Sequence, residues 1–134
     1  MSNSFSSPFE NLAFEESYFQ TFSEETLRLW RNPDSVVVGK HQNAMAESNF
    51  PFCRENNIPI IRRVSGGGTV FHDIGNINFS FYRFVNASSQ VNYRTNLDIM
   101  VDLLRTIGYD VDVNERHDLT LNGFKISGNA QHVR

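Results

Sequence analysis

The chain is short of cysteine, of basic excess and of long apolar runs, and each shortage removes a class of protein. Cys53 is the only cysteine, so no intrachain disulfide can form, which fits a reducing compartment. Twelve lysines and arginines stand against fifteen aspartates and glutamates, a net charge of −3. A general nucleic-acid binder carries the opposite balance. No apolar run approaches the ~20 residues of a membrane span. The amino terminus has neither a basic-then-apolar signal pattern nor an arginine-rich stretch ahead of Arg28. The expected setting is the cytoplasm, with no nucleic-acid and no membrane partner. Asn78-Phe79-Ser80 and Asn86-Ala87-Ser88 are then chance glycosylation matches. Internal repeats and low-complexity linkers are missing too. With 40% hydrophobic and 20% charged residues, the 134 residues read as one ordered unit of ordinary domain size.

What is present organises into helices and short strands. Ser7-Pro8-Phe9-Glu10 reads as a capping box with proline at the first helical position. Phe9, Leu12, Ala13 and Phe19 then carry a helix to about Phe22. Glu16 falls on that apolar stripe, either as an edge carboxylate reaching solvent or as a buried partner for an arginine or a substrate. Thr26 to Arg31 and Ser35 to Gly39 read as strands around an Asn32-Pro33-Asp34 turn. A short helix is expected over Phe50 to Asn57 and a strand over Ile58 to Val64. Thr69 to Asp73 and Asn76 to Arg83 read as another hairpin, around Ile74-Gly75. Leu97, Met100, Val101, Leu104 and Ile107 share one face of a helix over Thr95 to Ile107, stopped by Gly108. Strands over Asp110–Val113, Asp118–Leu121 and Phe124–Ser127 follow, the last two joined by an Asn122-Gly123 turn. Strands grouped in hairpins favour an α+β domain, a mixed or antiparallel sheet packed with helices, over a doubly wound one.

The richest stretch is Arg62-Arg63-Val64-Ser65-Gly66-Gly67-Gly68-Thr69-Val70-Phe71-His72-Asp73. A glycine triplet alone suggests a flexible hairpin loop. Flanked by two arginines and by Phe71-His72-Asp73, it reads as a loop whose bare N–H groups can cradle an anion. The guanidinium forks suit carboxylate or phosphate. Known nucleotide fingerprints do not fit: Phe71 occupies the third glycine of G-x-G-x-x-G, and G-x-x-x-x-G-K-[ST] is missing. A second stretch, Phe124-Lys125-Ile126-Ser127-Gly128, sets Lys125 between apolar neighbours on a strand. It is either a solvated edge charge or a point charge for a reacting carboxylate and phosphate. Asp118 is either a magnesium ligand or a turn-stabilising residue.

With these residues in view, the sequence resembles the lipoate–protein ligase and lipoyltransferase family of the biotin/lipoate ligase, class II synthetase-like, fold. The resemblance rests on Asn11-Leu12-Ala13-Phe14-Glu15-Glu16, on Leu29-Trp30-Arg31-Asn32 through Gly39-x-x-Gln42-Asn43, on the arginine–glycine block through Asn76, and on Lys125-Ile126-Ser127-Gly128. It implies that Arg63, Gly66, Gly67, Gly68, Thr69, Val70 and Phe71 bind ATP and the adenylate. Lys125 would be catalytic, contacting the acyl carboxyl and the phosphate. His72 would line the lipoate pocket together with Arg63 and Lys125, and Glu15 with Trp30 would border its narrow slot for the lipoyl chain, although a core tryptophan would also account for Trp30. Asp118 would help to hold Mg2+. His117 departs from the asparagine common in bacterial ligases, which puts contacts there in doubt. The resemblance also implies that residues 1–134 are the amino-terminal portion of one catalytic domain, without an accessory carboxy-terminal domain. Further closing strands would be missing or carried by another chain, and these residues alone would have little ligase activity.

The implied reaction joins lipoate to AMP, because a free carboxylate is a poor acyl donor, and then passes the acyl group to a lysine. Acceptors would be the lipoyl domains of 2-oxoacid dehydrogenase E2 subunits and the glycine cleavage H protein. A rival is an octanoyltransferase or lipoyltransferase of the same fold without the ATP step. Cys53, far from the lysine motif, reads as a small core residue rather than a nucleophile for it. An inactive acyl-binding fragment is the third reading.

Overall fold

A computed structural model describes residues 1, 5–85 and 93–133; the Asn86-Ala87-Ser88 match lies outside them. The chain divides into two compact units, Met1–Phe84 with Gln131–Arg134, and Val85–Ala130. No described helix is long and apolar enough to cross a membrane.

In the first unit, helix α1 spans Pro8–Thr21. Pro8 starts it because a missing N–H costs nothing at the first turn. The expected capping box does not form: the Ser7 side chain makes no cap bond, and its carbonyl accepts from the Asn11 amide at 3.1 Å. The expected stripe is not the buried one either. Phe9 is exposed, whereas Asn11 is fully buried. Asn11, Glu15 and Tyr18, at helical spacing, face polar groups of the sheet, so hydrogen bonding overrides hydrophobic periodicity here.

Strands β1 (Thr26–Trp30), β2 (Ser35–Val38), β3 (Ile60–Arg62), β4 (Val70–His72) and β5 (Asn78–Tyr82) form two sheets. β1 pairs antiparallel with β5, Trp30 opposite Asn78. β2 is central in the other, with β3 parallel and β4 antiparallel, Ser35 opposite His72. Val37 and Val38 are both buried, the mark of a strand covered on both faces. The two expected hairpins are therefore corrected. At 31–34 the chain leaves one sheet for the other, and at 73–77 it returns. Pro33 cannot donate to a ladder. Asn32 turns inward to His72 at 3.0 Å, while Asp73 ties its own bend by accepting from the Gly75 and Asn76 amides. Helix α2 (Ala44–Glu47), capped by Asn43, is too short to show a period. Helix α3 (Phe50–Glu55) is capped by Asn49 and buries Cys53.

In the second unit, helix α4 (Tyr93–Thr106) buries Leu97, Met100 and Val101. Gly108, with φ +96°, ends the turn that follows it, and Ile107 lies exposed past its end. Strands β6 (Val111–Val113), β7 (Leu119–Leu121) and β8 (Phe124–Lys125) run antiparallel, with Val111 and Leu119 in the core. Asn122 and Gly123 have φ of 51° and 80°, the pair of positive values that a tight hairpin turn demands. β8 is shorter than expected and ends at Lys125. Helices with mixed and antiparallel sheets make the chain α+β, as its strand grouping implied.

Candidate active site

The glycine loop is held from behind by an arginine. Arg63 donates from Nε to Ser65 Oγ (3.2 Å), from Nη1 to the Val37 carbonyl (3.1 Å), and from Nη2 to the carbonyls of Gly66 and Gly68 (2.7 Å each). Burial holds its guanidinium below the ordinary arginine value, yet with no carboxylate among these four partners. Its neighbour Arg62 directs Nη1 at the carbonyls of Gly39 (2.8 Å), Lys40 (3.2 Å) and Gln42 (2.7 Å). The sequence suggested two forks aimed at a ligand. Both meet mainly backbone carbonyls here, each shaping one loop.

Pinning carbonyls has a consequence for the amides. A trans peptide points its C=O and the next N–H in opposite directions. With the oxygens of Gly66 and Gly68 drawn to Arg63, the N–H groups of Gly67 and Thr69 face away from it. The amides of Gly66, Gly67 and Gly68 donate to no acceptor among the described residues. Gly67 has φ +91°, open only to glycine at low cost. A Cβ on Gly66 or Gly68 would meet nothing within 4 Å, so the loop faces open space. Such a run of unsatisfied N–H groups is suited to an anion.

Gly39 lies against this loop: a Cβ there would fall 2.1 Å from the Gly67 carbonyl oxygen. Gly39→Ala must push two backbones apart and should destabilise the chain by about 1–3 kcal/mol. Gly68→Ala, facing open space, should change stability by no more than about 0.5 kcal/mol. Urea unfolding of the two variants checks the contrast.

The same unit holds a buried polar network whose centre pair, Arg28 with Glu15, sequence reading missed. Arg28, fully buried, donates to Glu15 Oε1 (2.7 Å), Asn11 Oδ1 (2.9 Å) and the Asn11 carbonyl (3.3 Å). Its guanidinium carbon sits 4.5 Å and 4.9 Å from the ring centroids of Phe14 and Trp30. Glu15 also accepts from Ser80 and Tyr82; burial, reinforced by Glu15, pushes the Tyr82 phenol well above its ordinary value. Glu15 is thus the network's centre, and Glu16 points outward, lining a cleft of about 320 Å³ with Phe19, Gln20, Val64 and His132. Trp30 is buried and donates to Ser80 Oγ at 3.0 Å. The only sequence signal for Arg28 is its place two residues before Trp30 on the same strand face.

His72 is buried, its ring nearly perpendicular to that of Trp30 and Nδ1 3.0 Å from the Asn32 amide nitrogen. An amide nitrogen only donates, so Nδ1 accepts. Burial first, and Arg63 second, lower the His72 pKa, against a smaller opposing effect of Asp73. The unfolded chain therefore takes up this proton more readily than the folded one. His72 contributes stability above about pH 6.5 that is lost as pH falls toward the folded value, by at most about 1.4 kcal/mol per pH unit. Urea midpoints from pH 7.5 to 5.0 should fall, and His72→Gln should flatten that decline.

In the second unit, Lys125 Nζ lies 2.9 Å from Asp118 Oδ1. The lysine hydrogen bond holds the Asp118 carboxyl below its usual range, with help from Asn114 and against some desolvation. A Cβ on Gly128 would lie 3.6 Å from Lys125 Nζ, so the bare backbone of the Ser127-Gly128 segment passes close to the amine. The Asp118 carboxylate is engaged by an ammonium group. No cluster of three His, Cys, Asp or Glu side chains able to hold a metal occurs among the described residues.

Among the described residues, the first unit thus carries a glycine loop with free amides, the second a carboxylate-paired lysine, both on an α+β scaffold. The chain belongs to the family of lipoyl protein ligase A/B catalytic domains, whose model matches residues 7–134. It is 38% identical over 123 residues to lipoate-protein ligase LplJ of Bacillus subtilis, covering 90% of this chain and 37% of that protein. It is 40% identical over 131 residues to the mitochondrial lipoyl amidotransferase LIPT1 of Mus musculus, covering 93% and 34%. The chain thus spans little more than a third of the length of these curated relatives. Among solved structures, it is similar to the bi-partite lipoate protein ligase of Thermoplasma acidophilum, described with its E2 lipoyl domain (TM-score 0.87, 30% identity, 98% of this chain and 55% of that one). LipL1 of P. falciparum in complex with lipoate gives 0.84 and 30%, covering 99% and 43%. A lipoate-protein ligase A bound with ATP gives 0.86 and 28%, covering 100% and 60%.

Proposed function

We propose that this chain is part of a lipoate–protein ligase that converts lipoate and ATP to lipoyl-AMP and passes the lipoyl group to a lysine of a lipoyl domain. We assign both units to one catalytic domain. The observation that carries the reading is the Arg63-clamped loop with its Gly67 and Thr69 amides turned outward, in a member of this family.

The chemistry follows from the residues. A lipoate oxygen attacks the α-phosphorus of ATP, and the bond to pyrophosphate breaks. The acceptor amine then attacks the acyl carbonyl, AMP leaves, and the amine gives up a proton. No acyl-enzyme is required. Loop amides from Gly66 to Thr69 take phosphate oxygens, Val70 and Phe71 border the nucleotide, and Arg63 keeps the loop in shape from behind. Lys125 steadies the acyl carboxyl and the phosphate, and Asp118 aims its ammonium group. Trp30, set by Glu15 and Arg28, with His72 behind it, walls the slot for the lipoyl chain. Mg2+ enters no step of this reading: Asp118, a lone carboxylate already paired with Lys125, is a poor basis for a cation site. The E2 lipoyl domain named with the Thermoplasma ligase supports acceptors of that kind, with the glycine cleavage H protein as a further one.

The 40% identity to a lipoyl amidotransferase favours a second reading, transfer without ATP. Lipoate-dependent ATP–pyrophosphate exchange, measured on the whole protein that carries this chain, separates the two. The ligase shows exchange. Its absence, alongside transfer from a preformed acyl donor to a lipoyl domain, would overturn the first reading in favour of the second.

A further inference from the structure

We propose that Gln42 is a positioning residue, the latch that ties the Gly39–Asn43 loop to the glycine loop and keeps the latter in its anion-receiving shape. The proposal rests on the phosphate-binding role given above to Gly66–Thr69.

The contacts are specific. Gln42 Oε1 accepts from the Gly39 amide at 2.9 Å and from Thr69 Oγ1 at 2.8 Å. One oxygen thus bridges the two loops, using both of its lone-pair directions. Beside it, the Lys40 amide donates to the Ser65 carbonyl at 2.9 Å, and Gly39 admits the Gly67 carbonyl with no room for a Cβ. Arg62 binds the Gln42 carbonyl at 2.7 Å, so the latch is anchored at its own backbone. Thr69 stands at the exit of the glycine triplet, one residue before β4. The Gly66 and Gly68 carbonyls are fixed by Arg63, but among the described residues only Thr69 links the loop's far end to a side chain of the other loop.

The division of labour follows from the donors. Arginine can only donate, so it can hold carbonyls and hydroxyl oxygens but never the Gly39 amide. An acceptor is needed there, and a neutral one, because a carboxylate beside a phosphate site would repel the ligand. Glutamine supplies the acceptor without the charge. Cutting the latch frees the exit of the loop and lets the Thr69 amide swing, so the cost falls on binding of the phosphate-bearing substrate more than on folding.

Two readouts test this in the whole protein: amide hydrogen exchange of Lys40 without ligand, and KM for ATP in lipoate-dependent pyrophosphate exchange. Gln42→Leu and Thr69→Val should each raise Lys40 exchange and KM for ATP by about tenfold, the scale of one or two hydrogen bonds. Thr69→Ser, which keeps the hydroxyl, should restore both. Gln42→Glu should keep Lys40 protected, since its carboxylate still accepts from Gly39 and Thr69, while KM for ATP rises by at least as much as in Gln42→Leu. Unchanged Lys40 exchange in Gln42→Leu overturns the latch. Faster exchange with an unchanged KM leaves a structural tie and overturns the positioning role. If the wild type shows no ATP–pyrophosphate exchange, the ligase reading fails by itself. The latch is then judged by Lys40 exchange together with the affinity for lipoyl-AMP, which should fall in Gln42→Leu and recover in Thr69→Ser relative to Thr69→Val.

Discussion

Replacing Arg28 with alanine should lower the unfolding free energy by about 3–5 kcal/mol, the range for removing one partner of a buried ion pair. Among the described residues, Glu15 would keep only the Ser80 and Tyr82 hydroxyls against its charge. Asn11 Oδ1 would lose the guanidinium donor and keep the Phe5 amide. The cavity would also strip Phe14 and Trp30 of the guanidinium between them. Arg28→Met fills much of that space but still strands the carboxylate. Combined with Glu15→Leu it should recover most of the loss, since an apolar pair can match a buried salt bridge. Chemical unfolding of the single and double variants measures it. A loss under 1 kcal/mol for Arg28→Ala would mean that the network contributes little.

Replacing Lys125 with alanine should slow lipoyl-AMP formation about 10²–10³-fold, the scale for losing one charge-stabilising donor in a transition state. The lysine side chain is more than half exposed, and exposed ion pairs contribute about 0–1 kcal/mol, so folding should hardly change. That separation of activity from stability is the point of the experiment. Asp118→Asn should act through the lysine. It loosens the ammonium group but leaves the charge, so the expected loss is smaller than for Lys125→Ala. Single-turnover formation of the adenylate, followed by pyrophosphate release, distinguishes a chemical defect from slow product release. A Lys125→Ala protein with wild-type rates would remove the residue from the mechanism.

The contrast between these two residues shows what a sequence can reveal here. Lys125, the glycine triplet and the Asn122-Gly123 turn are legible because their chemistry is local: a turn type, a bare backbone, a charge between apolar neighbours. The arginine pair was legible as a feature but not in its use. Nothing in Arg62-Arg63 says that the guanidinium groups meet the chain's own carbonyls before any ligand. The Arg28–Glu15 pairing was not legible from periodicity, which assigns buried faces to apolar side chains whereas α1 buries Asn11; Glu15 entered only through the resemblance. The helical wheel singles out Glu16 where the resemblance points to Glu15, because a wheel does not contain the identity of the opposing strand. The strand pairing failed for the same reason. A turn signal at Asn32-Pro33-Asp34 marks a change of direction, not which strand lies alongside afterwards.

That pairing bears on how the chain acquires its shape. Trp30 meets Ser80 across 50 positions, and the segments that become β2, β3 and β4 all lie between. Closing so long a span forfeits entropy before any contact compensates for it, which slows two-state folding relative to nearest-neighbour hairpins. During synthesis β1 has no edge to join until the ribosome has released Tyr82. β1 should therefore stay unpaired until then, while β2, β3 and β4 can already join one another.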